Sequence, residues 1–144
     1  MTLGLEQPAT AERGRRILPA ALTIGGLAAA TLALRLRDPH VQGSWGVCPS
    51  YALFGVYCPG CGGLRAVNDL AHGDLAAAVS SNLLLVASVP LVVFLLGRWL
   101  LDGWRGTTRP PGLLTTPWFY VTLVVLLVAF TLLRNLPGGE WLQP

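Results

Sequence analysis

The sequence predicts an all-α integral membrane protein with three transmembrane helices and a cysteine-bearing, partly re-entrant loop between the first two. Three observations carry that prediction. Of 144 residues, 53% are hydrophobic and only 12% charged, with a mean hydropathy of +0.57. Three apolar runs approach the ~20 residues needed to cross a hydrocarbon core of about 30 Å. The basic residues are all arginines, and they flank those runs instead of clustering, which is how membrane-orientation signals are placed. With a net charge of only +3, nucleic acid is not an expected partner; the lipid bilayer is. Buried helices of a soluble bundle would need far more polar outer faces.

Each element follows in order. Residues 1–16 form a tail carrying Arg13, Arg15 and Arg16. Ile17 to Leu34 is uncharged, bounded after by Arg35 and Arg37, and makes the first span. Ala28-Ala29-Ala30 resembles a signal-peptide cleavage site, but the apolar run continues to Leu34, so a retained anchor is expected. The loop from Asp38 to Asp74 follows. Leu75 to Gly97 is the second span, ending at Arg98, with Pro90 expected to kink it. Ser80, Ser81 and Asn82 near its start suit polar contact with a neighbouring helix. Thr116 as N-cap and Pro117 at the first helical position open the third span, residues 117–133, which stops at Arg134. Trp99, Trp104, Trp118 and Tyr120 lie at or near span ends, where amphipathic rings favour the headgroup region. Residues 17–134 form one membrane domain, and residues 135–144 a C-terminal tail.

Three spans put the tail before Ile17 and the connection after Arg98 on one side. Arg13, Arg15, Arg16, Arg98, Arg105 and Arg109 lie there, against Arg35, Arg37, Arg65 and Arg134 on the other. The arginine excess marks the inside face, so the expected location is the cell membrane with a cytoplasmic N-terminus. The cysteine loop and the C-terminus are then outside, where disulfides persist.

All three cysteines lie within that loop: Cys48, then Cys58-Pro59-Gly60-Cys61-Gly62. The tetrad suits a type II turn, with proline presetting φ at its second position and Gly60 supplying positive φ at its third. Gly62 is likewise expected at positive φ. Such a turn brings Cys58 and Cys61 within about 7 Å at Cα, close enough to share a metal ion or a disulfide. Tyr51 to Tyr57 is apolar but too short to cross, so it dips into the interface or packs on the helices. Leu64 to Ala71 reads as helix, placing Arg65, Asp69 and His72 on one face with Arg65 and Asp69 able to pair. Gly73 then serves as C′ residue and Asp74 as N-cap of the second span.

The order of Cys48-Pro49, Gly55, Cys58-Pro59-Gly60-Cys61-Gly62, Arg65-Ala66, Leu70, His72-Gly73-Asp74 and Asn82 resembles a family of small bacterial membrane proteins, domain-of-unknown-function family 2752. That resemblance covers about Ser44 to Leu84. Phe54, Leu64 and Leu83 stand where the family shows threonine, threonine and proline. It implies the arrangement of spans and brings no reaction with it. Cys-Pro-x-Cys-Gly is also similar to the metal knuckle of zinc ribbons and rubredoxins.

The chemistry of the cysteines stays open between three readings. A structural disulfide or a structural metal, with zinc as candidate cofactor, comes first. A zinc site wants four ligands, and Cys48 would be the third. His72 is the weak candidate for the fourth, because eleven helical residues would set it about 16 Å from Cys61. His40 is no better placed. In the second reading, a Cys-x-x-Cys pair near a helix start and Arg65 has a lowered thiol pKa and works in redox, with Cys48 resolving. A βαβ context for such a motif is missing. In the third, the cysteines only pack. No paired carboxylates and no phosphate loop are present. The leading expectation is therefore a non-enzymatic membrane module whose loop is a structural plug or docking surface, offered to a membrane protein partner, a second copy or the lipid interface. A membrane thiol oxidoreductase and a metal-binding or transport subunit are the alternatives.

Overall fold

The computed structural model describes residues 9–41, 43–107 and 116–144, and every regular element among them is helical. Arg109, one of the arginines that set the expected orientation, lies outside the described residues. Three helices are long and apolar enough to cross a membrane: α1 (Ala9–Leu36), α4 (Leu75–Arg105) and α5 (Pro117–Asn135). Between α1 and α4 come two short helices, α2 (Pro49–Phe54) and α3 (Gly63–His72). A single 3-10 turn, Glu140–Leu142, follows α5.

The spanning helices expose most of their apolar surface, as lipid-facing helices do: Leu22, Val93 and Val124 are all more than half exposed. The buried positions gather instead at the end that carries the cysteine loop, among them Cys61, Ala66, Asn68, Asp69, Ala78, Ser81, Asn82 and Arg134. Here α3 lies across the ends of α1 and α4. Asn68 donates from Nδ2 to the Leu34 carbonyl at 2.7 Å, and Arg35 donates to the Ala71 carbonyl. Both bonds satisfy carbonyls that a helix end leaves without an intrahelical partner. At the opposite end, Arg16 meets the Gly106 carbonyl at 3.5 Å and Arg13 lies 5.4 Å from the Trp104 ring centroid. Gly103 packs there against the Arg16 backbone, where an added Cβ would stand 3.0 Å from a carbonyl oxygen.

Two local features depart from the sequence expectation. The interruption of α4 falls at Asn82, with φ −163° and ψ 94°, whereas the backbone through Pro90 stays helical. Asn82 leaves the helix to act as a fresh N-cap: its Oδ1 accepts from the Leu85 amide at 2.9 Å. Gly60 is not among the glycines with positive φ, so the Cys58–Cys61 turn, closed by Cys61 N–H to the Cys58 carbonyl at 3.1 Å, is not type II. The left-handed position is Gly62, at φ 77°, where the chain enters α3.

Gly73, at φ 82°, closes α3 with its amide on the Asp69 and Leu70 carbonyls. Asp74 then caps α4 by accepting from the Ala77 amide at 2.9 Å.

Candidate functional site

Cys48 sits at the N-cap position of α2, fixed by Pro49 at the first helical position and by Ala52 N–H on its carbonyl. Gly55, at φ 65°, ends that helix and turns the chain toward Tyr57 and the second cysteine. Tyr51 and Tyr57 stack with ring centroids 4.5 Å apart, closing the excursion between Cys48 and Cys58. The result is one cluster. Cys58 Sγ lies 3.4 Å from Cys48 Sγ and 3.3 Å from Cys61 Sγ, and all three sulfurs lie within 4.8 Å of one another.

The backbone of the turn is held from outside. Asn82 Nδ2 donates to the carbonyls of Pro59 and Cys61, both at 3.0 Å. Arg134, at the end of α5, donates from one guanidinium nitrogen to the carbonyls of Cys58 at 2.9 Å and Cys61 at 3.3 Å. Its second terminal nitrogen reaches the Leu142 carbonyl at 2.8 Å. Next to it, Asn135 makes a reciprocal pair with Tyr57: the Tyr57 amide donates to Oδ1 at 2.9 Å, and Nδ2 donates to the Tyr57 carbonyl at 2.8 Å. Three carbonyls of the turn are thus satisfied by side chains from two different spans. Gly62 is pressed onto this scaffold, and a Cβ there would fall on the Ser81 carbonyl oxygen.

Cys48 and Cys61 differ in acidity. The backbone amides of the first turn of α2, Tyr51 foremost, and the neighbouring Cys61 thiol lower Cys48 to about 7. Burial pushes Cys61 up to about 12, helped by the thiols of Cys48 and Cys58. One group therefore ionises near neutrality, while the deepest thiol gives up its proton only to something that replaces it, as a metal ion does. All three cysteines line a cleft of about 770 Å³, with Trp45, Tyr57 and Arg65 on its walls.

The remaining sequence-predicted residues lie apart from the sulfurs. His72 is engaged within α3, its Nδ1 on the Asn68 carbonyl at 2.9 Å, and is not in the cluster. Arg65 and Asp69 do not pair. Asp69 instead accepts from Ser81 Oγ at 2.8 Å, and its other oxygen faces His40 Nε2 at 3.4 Å. Burial against α4 turns Asp69 inward, whereas Arg65 turns to the cleft. His40 Nδ1 in turn meets Asp38 at 2.8 Å; the His40 backbone amide, then its ring, holds the Asp38 carboxyl below its ordinary value. Sequence reasoning missed Arg134 and Asn135 as members of the site. Their one signal was an arginine-asparagine pair directly after an apolar run, which reads equally well as an ordinary span end.

No curated protein and no solved structure matches the chain. Residues 48–96, from the first cysteine to well inside α4, match the family described as protein of unknown function (DUF2752), so that this third of the chain is similar to that family.

Proposed function

We propose that this is a non-enzymatic polytopic membrane module whose cysteine loop is locked by one metal ion, with zinc the leading candidate. The observation that carries the reading is the convergence of three sulfurs, each pair within 4.8 Å. Tetrahedral thiolates at about 2.3 Å from one zinc ion stand about 3.8 Å apart, within the range that these sulfurs span. A disulfide would use two of them, and Cys58 is almost equally near both neighbours. Cys48, Cys58 and Cys61 would be the ligands, and the cleft leaves a fourth position for water or another donor. The lock would give the loop a fixed outer surface. On that surface Val47, Leu53 and Phe54 are each more than 70% exposed, enough to dock on the bilayer interface or a membrane protein partner.

Purified protein, reduced and stripped of metal in detergent, should take up one zinc or cobalt(II) ion per chain. Any single Cys→Ser change should abolish tight uptake. Failure of the wild type to bind, with a Cys48–Cys58 or Cys58–Cys61 disulfide found in protein taken from cells, would overturn the metal lock.

The acidity of Cys48 favours a second reading, a membrane thiol oxidoreductase. Its mark would be a substrate joined to the protein through a mixed disulfide once the resolving cysteine is replaced by serine.

A further inference from the structure

Among the described residues Arg134 is the largest fully buried side chain, with no exposed surface, and it is a cation. Its guanidinium lies 5.0 Å from the Phe130 ring centroid and 5.7 Å from that of Tyr57. Neutral carbonyls take its terminal nitrogens, while its Nε is buried with no hydrogen-bond partner among the described residues. No carboxylate among those residues forms an ion pair with it. The backbones of Cys58 and Cys61 and the Tyr57 ring are its nearest described neighbours from the cysteine loop. A buried charge without a counter-charge is costly, and chains rarely keep one.

We infer that Arg134 is the counter-ion of a net-anionic metal–thiolate centre at Cys48, Cys58 and Cys61, and that loading this centre seats the end of α5 against the cysteine loop. The inference rests on the metal reading above. The charges balance: a divalent ion displaces three thiol protons to solvent, leaving three thiolates and a centre of net charge −1 beside a guanidinium of +1. With neutral thiols in place of the metal, the guanidinium has only dipoles to face. The attachment of α5 makes this matter. The described contacts that join α5 to the rest of the molecule run largely through Arg134, Asn135 and the 3-10 turn, not through side-by-side packing on α1 or α4. Whatever strengthens the hold on Arg134 therefore strengthens the seating of α5. By linkage, seating raises metal affinity by the same factor.

Arg134 acts through the ligands' surroundings and is a positioning residue. Two measurements on the full-length protein test it. In the first, metal-free wild type, Arg134→Lys and Arg134→Gln are titrated with cobalt(II), reading the sulfur-to-cobalt charge-transfer band. Arg134→Gln should bind at least about tenfold more weakly and with a weaker band, since a centre with fewer thiolates is favoured once the cation is gone; Arg134→Lys should recover most of both. In the second, which needs no variant, hydrogen exchange is followed with and without zinc. Zinc should slow exchange at Tyr57 and through residues 139–143. Unchanged cobalt affinity and band in Arg134→Gln would overturn the inference alone. So would zinc that binds wild type without altering exchange in those segments. No metal uptake by wild type would overturn this inference together with the metal lock.

Discussion

Two glycines two residues apart have opposite tolerances. Gly62 holds φ 77° with its α-carbon against the Ser81 carbonyl, so Gly62→Ala adds both backbone strain and a clash with main chain that cannot swing aside. A loss of about 3 kcal/mol or more is expected. Gly60 carries negative φ, and its nearest neighbour to an added Cβ is the Cys58 sulfur at 3.9 Å, so Gly60→Ala should stay within about 0.5 kcal/mol. Unfolding midpoints in detergent, compared between the two variants, check this, and equal losses would contradict the turn geometry. The sequence showed a glycine-rich turn but not which glycine bore the strain, because that depends on what α4 places beside it. The thiols give a second prediction. In metal-free protein, Cys48 should be the first cysteine alkylated by iodoacetamide. Its thiolate is present above about pH 7 and lost below, so the rate at pH 6 should be about one tenth of the plateau. Cys61 should resist at pH 9, its thiol being pushed up to about 12. Peptide mapping after timed alkylation reads both.

At the scale of the element, α4 shows why a hydropathy pattern locates a helix but not its break. Apolar residues run through Asn82 and Pro90 alike, and proline is the stronger breaker in isolation. Asn82 wins because its side chain does two jobs at once: it caps the helix restarting at Leu83 and donates to two carbonyls of the cysteine turn. Asn82→Ala removes a cap of about 1 kcal/mol and leaves two buried acceptors with fewer donors, at about 1–3 kcal/mol in total. A fall of about 3 kcal/mol is expected, with increased protease sensitivity between Asp38 and Asp74. Asn82→Asp keeps the cap but loses the donors, and should not rescue. Pro90→Ala should leave the loop unaffected. The Asp69 pairing was likewise hidden from sequence. Arg65 stands four residues before it on the same helix, yet burial beside Ser81 decides its partner.

At the scale of the whole molecule, the three spanning helices and the loop between the first two were legible, because membrane crossing depends on length, hydropathy and flanking charge. The proximity of the cysteines was legible in part: turn geometry joined Cys58 to Cys61, while the arrival of Cys48 depended on α2 and the Tyr51–Tyr57 stack. The link to Arg134 was not, since it joins residues 76 apart in sequence. Contacts at the two ends of the bundle put Arg13 and Arg16 with the α4 C-terminus, and Arg134 with the cysteines. The arginine excess then predicts which end faces the cytoplasm. A phosphatase reporter active only outside should work when fused after Pro144 and fail at Gly112, a position outside the described residues; the reverse would invert the assignment.

The Asn82 break also bears on the membrane that suits this protein. An unbroken α4 of 31 residues would run about 46 Å, far beyond a hydrocarbon core of about 30 Å. Interrupted at Asn82, it leaves an uncharged stretch from Leu83 to Gly97 of roughly 22 Å, and the uncharged part of α1 from Ile17 to Leu34 covers only about 27 Å. Because Gly103 is held against Arg16, these two lengths cannot slide past each other to share a mismatch. Stability should therefore peak in lipids of short acyl chain and decline as chains lengthen, so that reconstitution across a graded series of phosphatidylcholines would measure bilayer thickness through the melting of the protein.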